Sequence, residues 1–322
     1  MKLFITGGTG FFGRSILRYL QNKFSLGAFD MPKLVVVLTR DPERFLFLHP
    51  EFKNLAWLQF HRGDIGSPAE LPFDIKFTHV LHAAADSTEA SKMSNLDRYR
   101  QIVDGTRNIL DFAVLNGTKK FLLTSSGGAY GQQPSNLLSI PETYCGMPNP
   151  LNAHNAYGVG KRECELLCTL YNEQFGLQCV IARCFAFVGP DLPLDAHFAI
   201  GNFIRDALHE NVITVSGDGS PFRSYLYQQD LAHWLFHMLL DGAAGQAYNV
   251  GSDKAISIAD LAKLVRDQIA PQKEVIIRDK VKENLERNRY IPNIQKAKIE
   301  LGLSVSIQLS DAVRLTAMRH IK

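Results

Sequence analysis

The 322-residue chain is short of the features that mark several protein classes. No apolar run reaches the length needed to span a bilayer, and the first strand begins at the N-terminus, which leaves no room for a secretory leader. The expectation is a cytoplasmic protein with no membrane partner. Charge of one sign is missing too: 35 Lys and Arg against 32 Asp and Glu leave a formal net charge of +3. With no cluster of basic residues, that balance argues against nucleic acid as a partner. Cysteine is sparse and odd in number, five in all, with no disulfide-scaffold spacing, as expected of reduced thiols. Cys164 and Cys168 lie one helical turn apart, but no nearby Cys or His completes a metal set. His233 and His237 likewise lack the glutamate of a metalloprotease helix. No metal is expected, and there is no internal repeat, low-complexity tract or obvious linker.

What is present starts with MKLFITGGTGFFG. Leu3, Phe4 and Ile5 form a short apolar run typical of a buried strand, and Ser15 to Leu20 carries a helical apolar pattern. Between them stand Gly7, Gly10 and Gly13 at three-residue spacing. Gly7 permits a tight turn, Gly10 lets a pyrophosphate approach the backbone, and Gly13 allows close packing of helix on strand. The helix N-terminus then offers unpaired N–H groups and a favourable dipole to the anion. A lone glycine pattern is weak evidence, but its place directly after the first strand favours a dinucleotide loop over an ordinary turn.

The second strand pattern, Leu34–Thr39, ends where dinucleotide-binding units hold an acidic residue for the adenosine ribose. Here Thr39 is followed by Arg40, a cation suited to a 2′-phosphate, so NADP(H) is favoured and NAD(H) remains possible. The bland alternative is a solvated arginine pairing with Asp41 or Glu43. Leu55–Phe60 reads as a third strand leading to Asp64 and Ile65, placed to meet an adenine ring. Phe77–Ala85 reads as a fourth, its small residues Ala83, Ala84 and Ala85 leaving space for the cofactor. Asp86, Ser87 and Thr88 follow at its C-terminal end, where open α/β sheets bind ligands. A helix over Leu96–Asn116, a strand over Lys119–Ser126, a helix over Tyr157–Phe175 and a strand from Cys179 continue the alternation. This predicts an α/β, Rossmann-type, doubly wound parallel sheet.

Beyond Arg183 the alternation loosens. Helices near Phe203–Glu210, Gln229–Asp241 and Ile258–Ile269 and strands at Ile213–Ser216 and Gln246–Gly251 suggest a smaller, partly discontinuous C-terminal substrate domain. The expected division is a dinucleotide-binding domain at 1–182, joined by about 224–250, and a substrate domain at 183–223 and 251–322 that covers the cofactor cleft.

Tyr157 and Lys161 are the second decisive feature. Four residues apart on a helix, they share a face. A free phenol is a poor acid–base group at neutral pH, and an ammonium close by stabilises its charged form. Tyr and Lys at this spacing are common by chance, but here they follow a dinucleotide loop and a strand ending at Ser125–Ser126.

Together TGGTGFFG, HAAA, SSGGAYG, YGVGK, RCFAFVGP, GDGSPFRSYLYQQDLA and RYIPNIQKAKIELGL resemble the extended short-chain dehydrogenases/reductases that modify nucleotide sugars, the epimerase/dehydratase family. The resemblance covers essentially the whole chain. It implies Tyr157 as acid/base, Lys161 as the group holding the ribose and tuning the tyrosine, and Ser126 as hydrogen-bond partner of the reacting oxygen. Phe11, Phe12 and Cys184 join the cofactor contacts. On the substrate side it implies Asp86, Ser87, Gly127, Phe185, Asn202 and Val215, with Arg223 and either Arg287 or Arg289 on the diphosphate.

Two departures bear on the reaction. Where dehydratases of the family place an acidic pair stand Gly127 and Gly128, so 4,6-dehydration loses its proton-moving groups. Ile102 and Ala186 stand where asparagines are usual. The resemblance therefore implies NADPH-dependent reduction of a 4-keto-6-deoxy nucleotide-diphosphate sugar, with 4-epimerisation as the alternative. Dehydration, a non-sugar carbonyl reductase and a non-catalytic NADP-binding regulator rank lower. It also implies a homodimer paired through the two long helices near Leu96–Asn116 and Tyr157–Phe175.

Overall fold

The computed structural model describes residues 1–27, 31–84, 93–196, 198–280 and 288–321. The chain forms two compact units. The first comprises Met1–Ala129, Met147–Arg183 and Ala232–Tyr248, and the second Tyr130–Gly146, Cys184–Leu231 and Asn249–Lys322. Tyr130–Gly146 therefore groups with the second unit, and the return to the first is shorter than 224–250.

In chain order the first elements are β1 (Lys2–Thr6), α1 (Phe11–Ser25), β2 (Leu34–Thr39), α2 (Pro42–Leu48) and β3 (Leu58–Arg62). There follow β4 (His79–His82), α3 (Asn95–Asn116), β5 (Lys120–Ser126), α4 (Ala156–Phe175) and β6 (Gln178–Cys184). Next come β7 (Phe187–Val188), α5 (Ala199–His209), β8 (Val212–Val215), β9 (Phe222–Arg223), β10 (Leu226–Tyr227) and α6 (Gln228–Asp241). The last are β11 (Ala247–Val250), β12 (Ile256–Ser257), α7 (Ile258–Ile269), β13 (Glu274–Ile277), β14 (Arg289–Tyr290), α8 (Gln295–Leu301) and α9 (Leu309–His320).

The first unit is built on a seven-stranded sheet in the order β11-β6-β5-β4-β1-β2-β3. The pairs β1–β2, β2–β3, β1–β4 and β4–β5 are parallel. The chain runs outward from β1 through β2 to β3 and then resumes on the other side of β1 with β4. That reversal makes the C-terminal ends of β1 and β4 the switch point where such sheets take ligands. The strands are apolar on both faces, as helices on either side require: Leu3, Phe4 and Ile5 are fully buried. One core layer joins Phe4, Phe77, Phe112 and Phe121 with Ile109 and Cys168.

Caps explain several element starts. Asp41 accepts the Arg44 N–H at 3.0 Å, with Pro42 preset for the first turn of α2. Ser94 accepts the Asp97 N–H at 3.1 Å at the head of α3. Gly117, at φ +78°, ends that helix in the left-handed conformation.

Some expected boundaries move. The third strand starts at Leu58 rather than Leu55, because Asn54 at φ +58° and a Leu55–Leu58 turn delay it. The fourth is shorter than Phe77–Ala85: the Phe77 N–H is taken by the Asn116 side chain at 2.7 Å rather than by a neighbouring strand. In the second unit α5 begins at Ala199, and helix α9 lies beyond the tail segment on which the sequence reading stopped. That unit carries the short sheet β12-β9-β14 and the pair β13-β8. No helix among the described residues is long and apolar enough to cross a membrane.

Candidate active site

Gly7, at φ +71°, lies against the end of β4: a Cβ there would run into the Ala83 carbonyl and the Ala84 nitrogen. Gly13 presses α1 onto the loop so closely that a Cβ would meet the Gly8 backbone. Gly10 differs. A Cβ on it would find only the Gly7 oxygen, at an ordinary 3.5 Å, so no neighbour among the described residues demands a glycine there. Gly10 is also the N-cap of α1, which has no side-chain cap and no acid in its first turn. An uncapped, acid-free helix end beside a bare glycine fits a pyrophosphate. Phe11 and Phe12, half-buried with ring centroids 5.9 Å apart, open that helix.

At the end of β2, Thr39 is half-buried and Arg40 extends into solvent. The Arg40 guanidinium is 3.9 Å from the Asp64 carboxylate, not on Asp41 or Glu43. Asp64 also accepts the Gly66 N–H at 2.7 Å. Glu43 pairs instead with Arg62, which donates to the Arg40 carbonyl at 2.9 Å. The Ile65 side chain is buried against Gly105 of α3. Its side chain belongs to the core, so only Asp64 of the expected adenine pair presents a side chain at the surface.

A buried polar chain runs from this loop to the lysine. Thr6 Oγ1 accepts the Ala84 N–H at 3.3 Å and lies 2.7 Å from His82 Nδ1. His82 Nε2 lies 3.0 Å from Thr106 Oγ1, whose own proton goes to the Ile102 carbonyl at 2.7 Å. A hydroxyl has one proton to give, so His82 must donate from Nε2 and accept from Thr6 at Nδ1. This is the neutral imidazole. Burial, with the Lys161 ammonium adding to it, holds His82 down to about 3. Its carbonyl accepts from Thr124 Oγ1 at 3.1 Å, and the Thr124 carbonyl accepts from Lys161 Nζ at 2.7 Å. Lys161 is thus a buried cation tethered to β5.

Ser126 and Tyr157 meet around Gly128. A Cβ on Gly128 would lie 3.3 Å from Ser126 Oγ and 3.9 Å from the Tyr157 ring. Ser126 Oγ accepts the Gly128 N–H at 3.0 Å. A Cβ on Gly158 would meet the Gly128 carbonyl at 2.6 Å. Gly158 therefore lets α4 approach the end of β5. Beneath them Ser125 donates to Glu165 at 2.5 Å, and Arg183 pairs with that carboxylate at 2.7 Å. On the far side the Arg98 guanidinium lies 4.5 Å from the centre of the Tyr157 ring. Neither Arg98 nor the His82 chain was legible beforehand; HAAA was read only for its small residues, and Arg98 fits no motif.

The second unit holds the remaining expected contacts. Cys184 and Phe185 are buried, and the Phe185 ring packs at a tilt against Tyr290 with ring centroids 4.6 Å apart. Val215 is 1% exposed, its side chain packed in the core, and its carbonyl accepts the Arg278 N–H at 3.0 Å. The Asn202 amide, turned so that its nitrogen donates, meets the carbonyls of Ala196 at 2.9 Å and Leu194 at 3.1 Å. It ties down the loop before α5.

Arg223 pairs in register with Tyr290 of β14 and Ile256 of β12, whereas Arg289 pairs with Phe222. Successive strand residues face opposite ways, so Arg223 and Arg289 lie on opposite faces of this sheet. Arg223 donates to Asn288 Oδ1 at 3.0 Å, and the Arg289 guanidinium lies 4.7 Å from the Phe222 ring centre. Arg289 is therefore not brought onto one face with Arg223. Ala85, Asp86, Ser87 and Arg287 fall outside the described residues.

Residues 3–251 match the NAD dependent epimerase/dehydratase family. The chain belongs to that family. It is 28% identical over 323 aligned residues to UDP-glucuronic acid decarboxylase 4 of Arabidopsis thaliana, covering 98% of this chain and 67% of that protein. Its fold is similar to DesIV, a dTDP-glucose 4,6-dehydratase from Streptomyces venezuelae solved with NAD and TYD bound. There the TM-score is 0.83 at 25% identity, over 99% of this chain and 97% of that one. RMD from Pseudomonas aeruginosa, solved with NADPH, gives 0.78 at 25% identity, over 99% and 98%. Members are NAD(P)-dependent enzymes, and structures with either cofactor are among those similar to this chain.

Proposed function

We propose that this enzyme is an oxidoreductase that reduces the 4-keto group of a 4-keto-6-deoxy nucleotide-diphosphate sugar with NADPH. The observation that carries the reading is the grouping of Ser126, Tyr157 and Lys161 beside a glycine pair that holds no titratable group. The cofactor, when bound, supplies the hydride to C4. Tyr157 gives its phenolic proton to the C4 oxygen as that oxygen gains charge, and Ser126 donates a hydrogen bond to the same atom. Lys161 supports the tyrosine and holds the cofactor ribose. The diphosphate of the sugar nucleotide pairs with the Arg223 guanidinium, whose planar fork suits that anion. Arg40 selects the 2′-phosphate, shifting from Asp64 to the added charge.

A second reading, 4-epimerisation, uses the same residues in both directions, the sugar turning between two hydride transfers. The glycine pair favours it, since no side chain at 127 or 128 would hold a ketosugar in one orientation. Decarboxylation, named for the plant relative, is a further arm of the test. The enzyme is incubated with NADPH and thymidine-diphospho-4-keto-6-deoxyglucose and, in separate reactions supplied with NAD⁺ or NADP⁺ as hydride acceptor, with UDP-glucose and with UDP-glucuronate. Stoichiometric NADPH oxidation with the first supports the reductase; UDP-galactose from the second without net cofactor change, or carbon dioxide from the third, replaces it. We further infer a homodimer through α3 and α4, whose exposed Leu115, Leu166, Leu170 and Phe175 suit pairing.

A further inference from the structure

We propose that Arg98 is a positioning residue for the Tyr157 phenol, a second cation that favours its ionised form and fixes the plane of its ring. The inference rests on the reading of Tyr157 as the acid/base. Arg98 lies in the first turn of α3, whose start is fixed by the Ser94 cap. Its guanidinium sits 4.5 Å from the ring centre, close enough for the ring face to attract it. Ionising the phenol adds electron density to that face, so the attraction is stronger for the phenolate than for the phenol.

Burial makes this contact count. Among the described residues Arg98 Nε is buried without a hydrogen-bond partner, so the ring is what the side chain gains for giving up water there. One turn on, Ile102 is an apolar, fully buried residue and brings no polar atom. The other titratable neighbours are accounted for. From α3, Tyr99 packs on Gly160 and donates to Glu163, an acid that is thereby engaged. Lys161, from α4 itself, is tethered to the Thr124 carbonyl. From the end of β5 comes only the Ser126 hydroxyl. Among the described residues Arg98 is the cation that touches the ring.

The first readout needs no turnover. 3-Fluorotyrosine is placed at position 157 and its fluorine resonance is followed against pH in the otherwise unchanged enzyme and in Arg98→Met and Arg98→Lys. Both replacements are good helix formers, so α3 is kept, and equal melting temperatures verify it. The expected result is a phenolate transition moved to higher pH by about half a unit to one unit in Arg98→Met, and by less than half as much in Arg98→Lys. Kinetically, kcat falls about threefold to tenfold in Arg98→Met while the KM for cofactor holds. An unchanged transition in Arg98→Met, or an equal shift in both variants, would overturn the proposal. Failure of the acid/base reading would show itself separately, as full activity in Tyr157→Phe.

Discussion

The glycine loop of the first unit and the small β12-β9-β14 sheet of the second place their functional groups by opposite routes. The loop works over seven consecutive residues, and its requirements can be stated locally: a left-handed Gly7, an uncapped Gly10, a Gly13 with no room for a Cβ. The small sheet draws Phe222–Arg223, Ile256–Ser257 and Arg289–Tyr290 from distant segments. Which arginine faces which way depends on strand register, a long-range property. A motif can carry the first arrangement whole, but it can only nominate residues for the second.

Substitutions can break this contrast. The largest effect is expected at Gly13→Val, where the new side chain meets the Gly8 backbone. A cost of about 3 kcal/mol or more in stability should appear in denaturant titration, with NADPH binding lost. Arg223→Ala should weaken uridine or thymidine diphosphate binding about thirtyfold by calorimetry, the scale of a charge-assisted pair. Arg289→Ala, on the opposite face, should change it less than about threefold. Equal losses at both positions would mean that the strand-face argument fails.

Acid sharpens the comparison within the first unit. Folded His82 titrates at about 3, against about 6.5 in the unfolded chain. Between those values the unfolded state binds a proton that the folded state refuses, so stability falls as pH drops from about 6.5 toward about 3 and then levels. His82→Gln should flatten this part of the melting-temperature profile. A smaller effect is expected at the exposed corner of β2: Arg40→Ala should cut the preference for NADPH over NADH by about tenfold or less. Equal affinity for both cofactors before the substitution would contradict the choice of NADPH.

Legibility followed the same divide. The order of strands and helices was readable because most buried strands are near-continuous apolar runs and several helices, such as α2, α3 and α7, carry side-chain caps. The family followed from consecutive stretches such as TGGTGFFG and YGVGK. What stayed hidden depended on packing between segments. Arg98 and Tyr157 are far apart in sequence, and nothing local marks the arginine. His82 looked like a strand end, yet it joins β1, α3 and β5 through its ring and carbonyl. Val215 and Ile65 matched ligand positions but carry core side chains, because the same apolar residue serves either use. Gly127 and Gly128 were read as a missing acidic pair. The close approach of α4 rests instead on Gly158, whose Cβ would meet the Gly128 carbonyl.

The central claim is that Tyr157 moves the proton at C4. The most direct measurement compares the unaltered enzyme with Tyr157→Phe, reading NADPH absorbance with thymidine-diphospho-4-keto-6-deoxyglucose beside a separate titration of NADPH binding. The account predicts a rate lowered by about a hundredfold or more with cofactor affinity retained. A Tyr157→Phe enzyme as fast as the parent would contradict it.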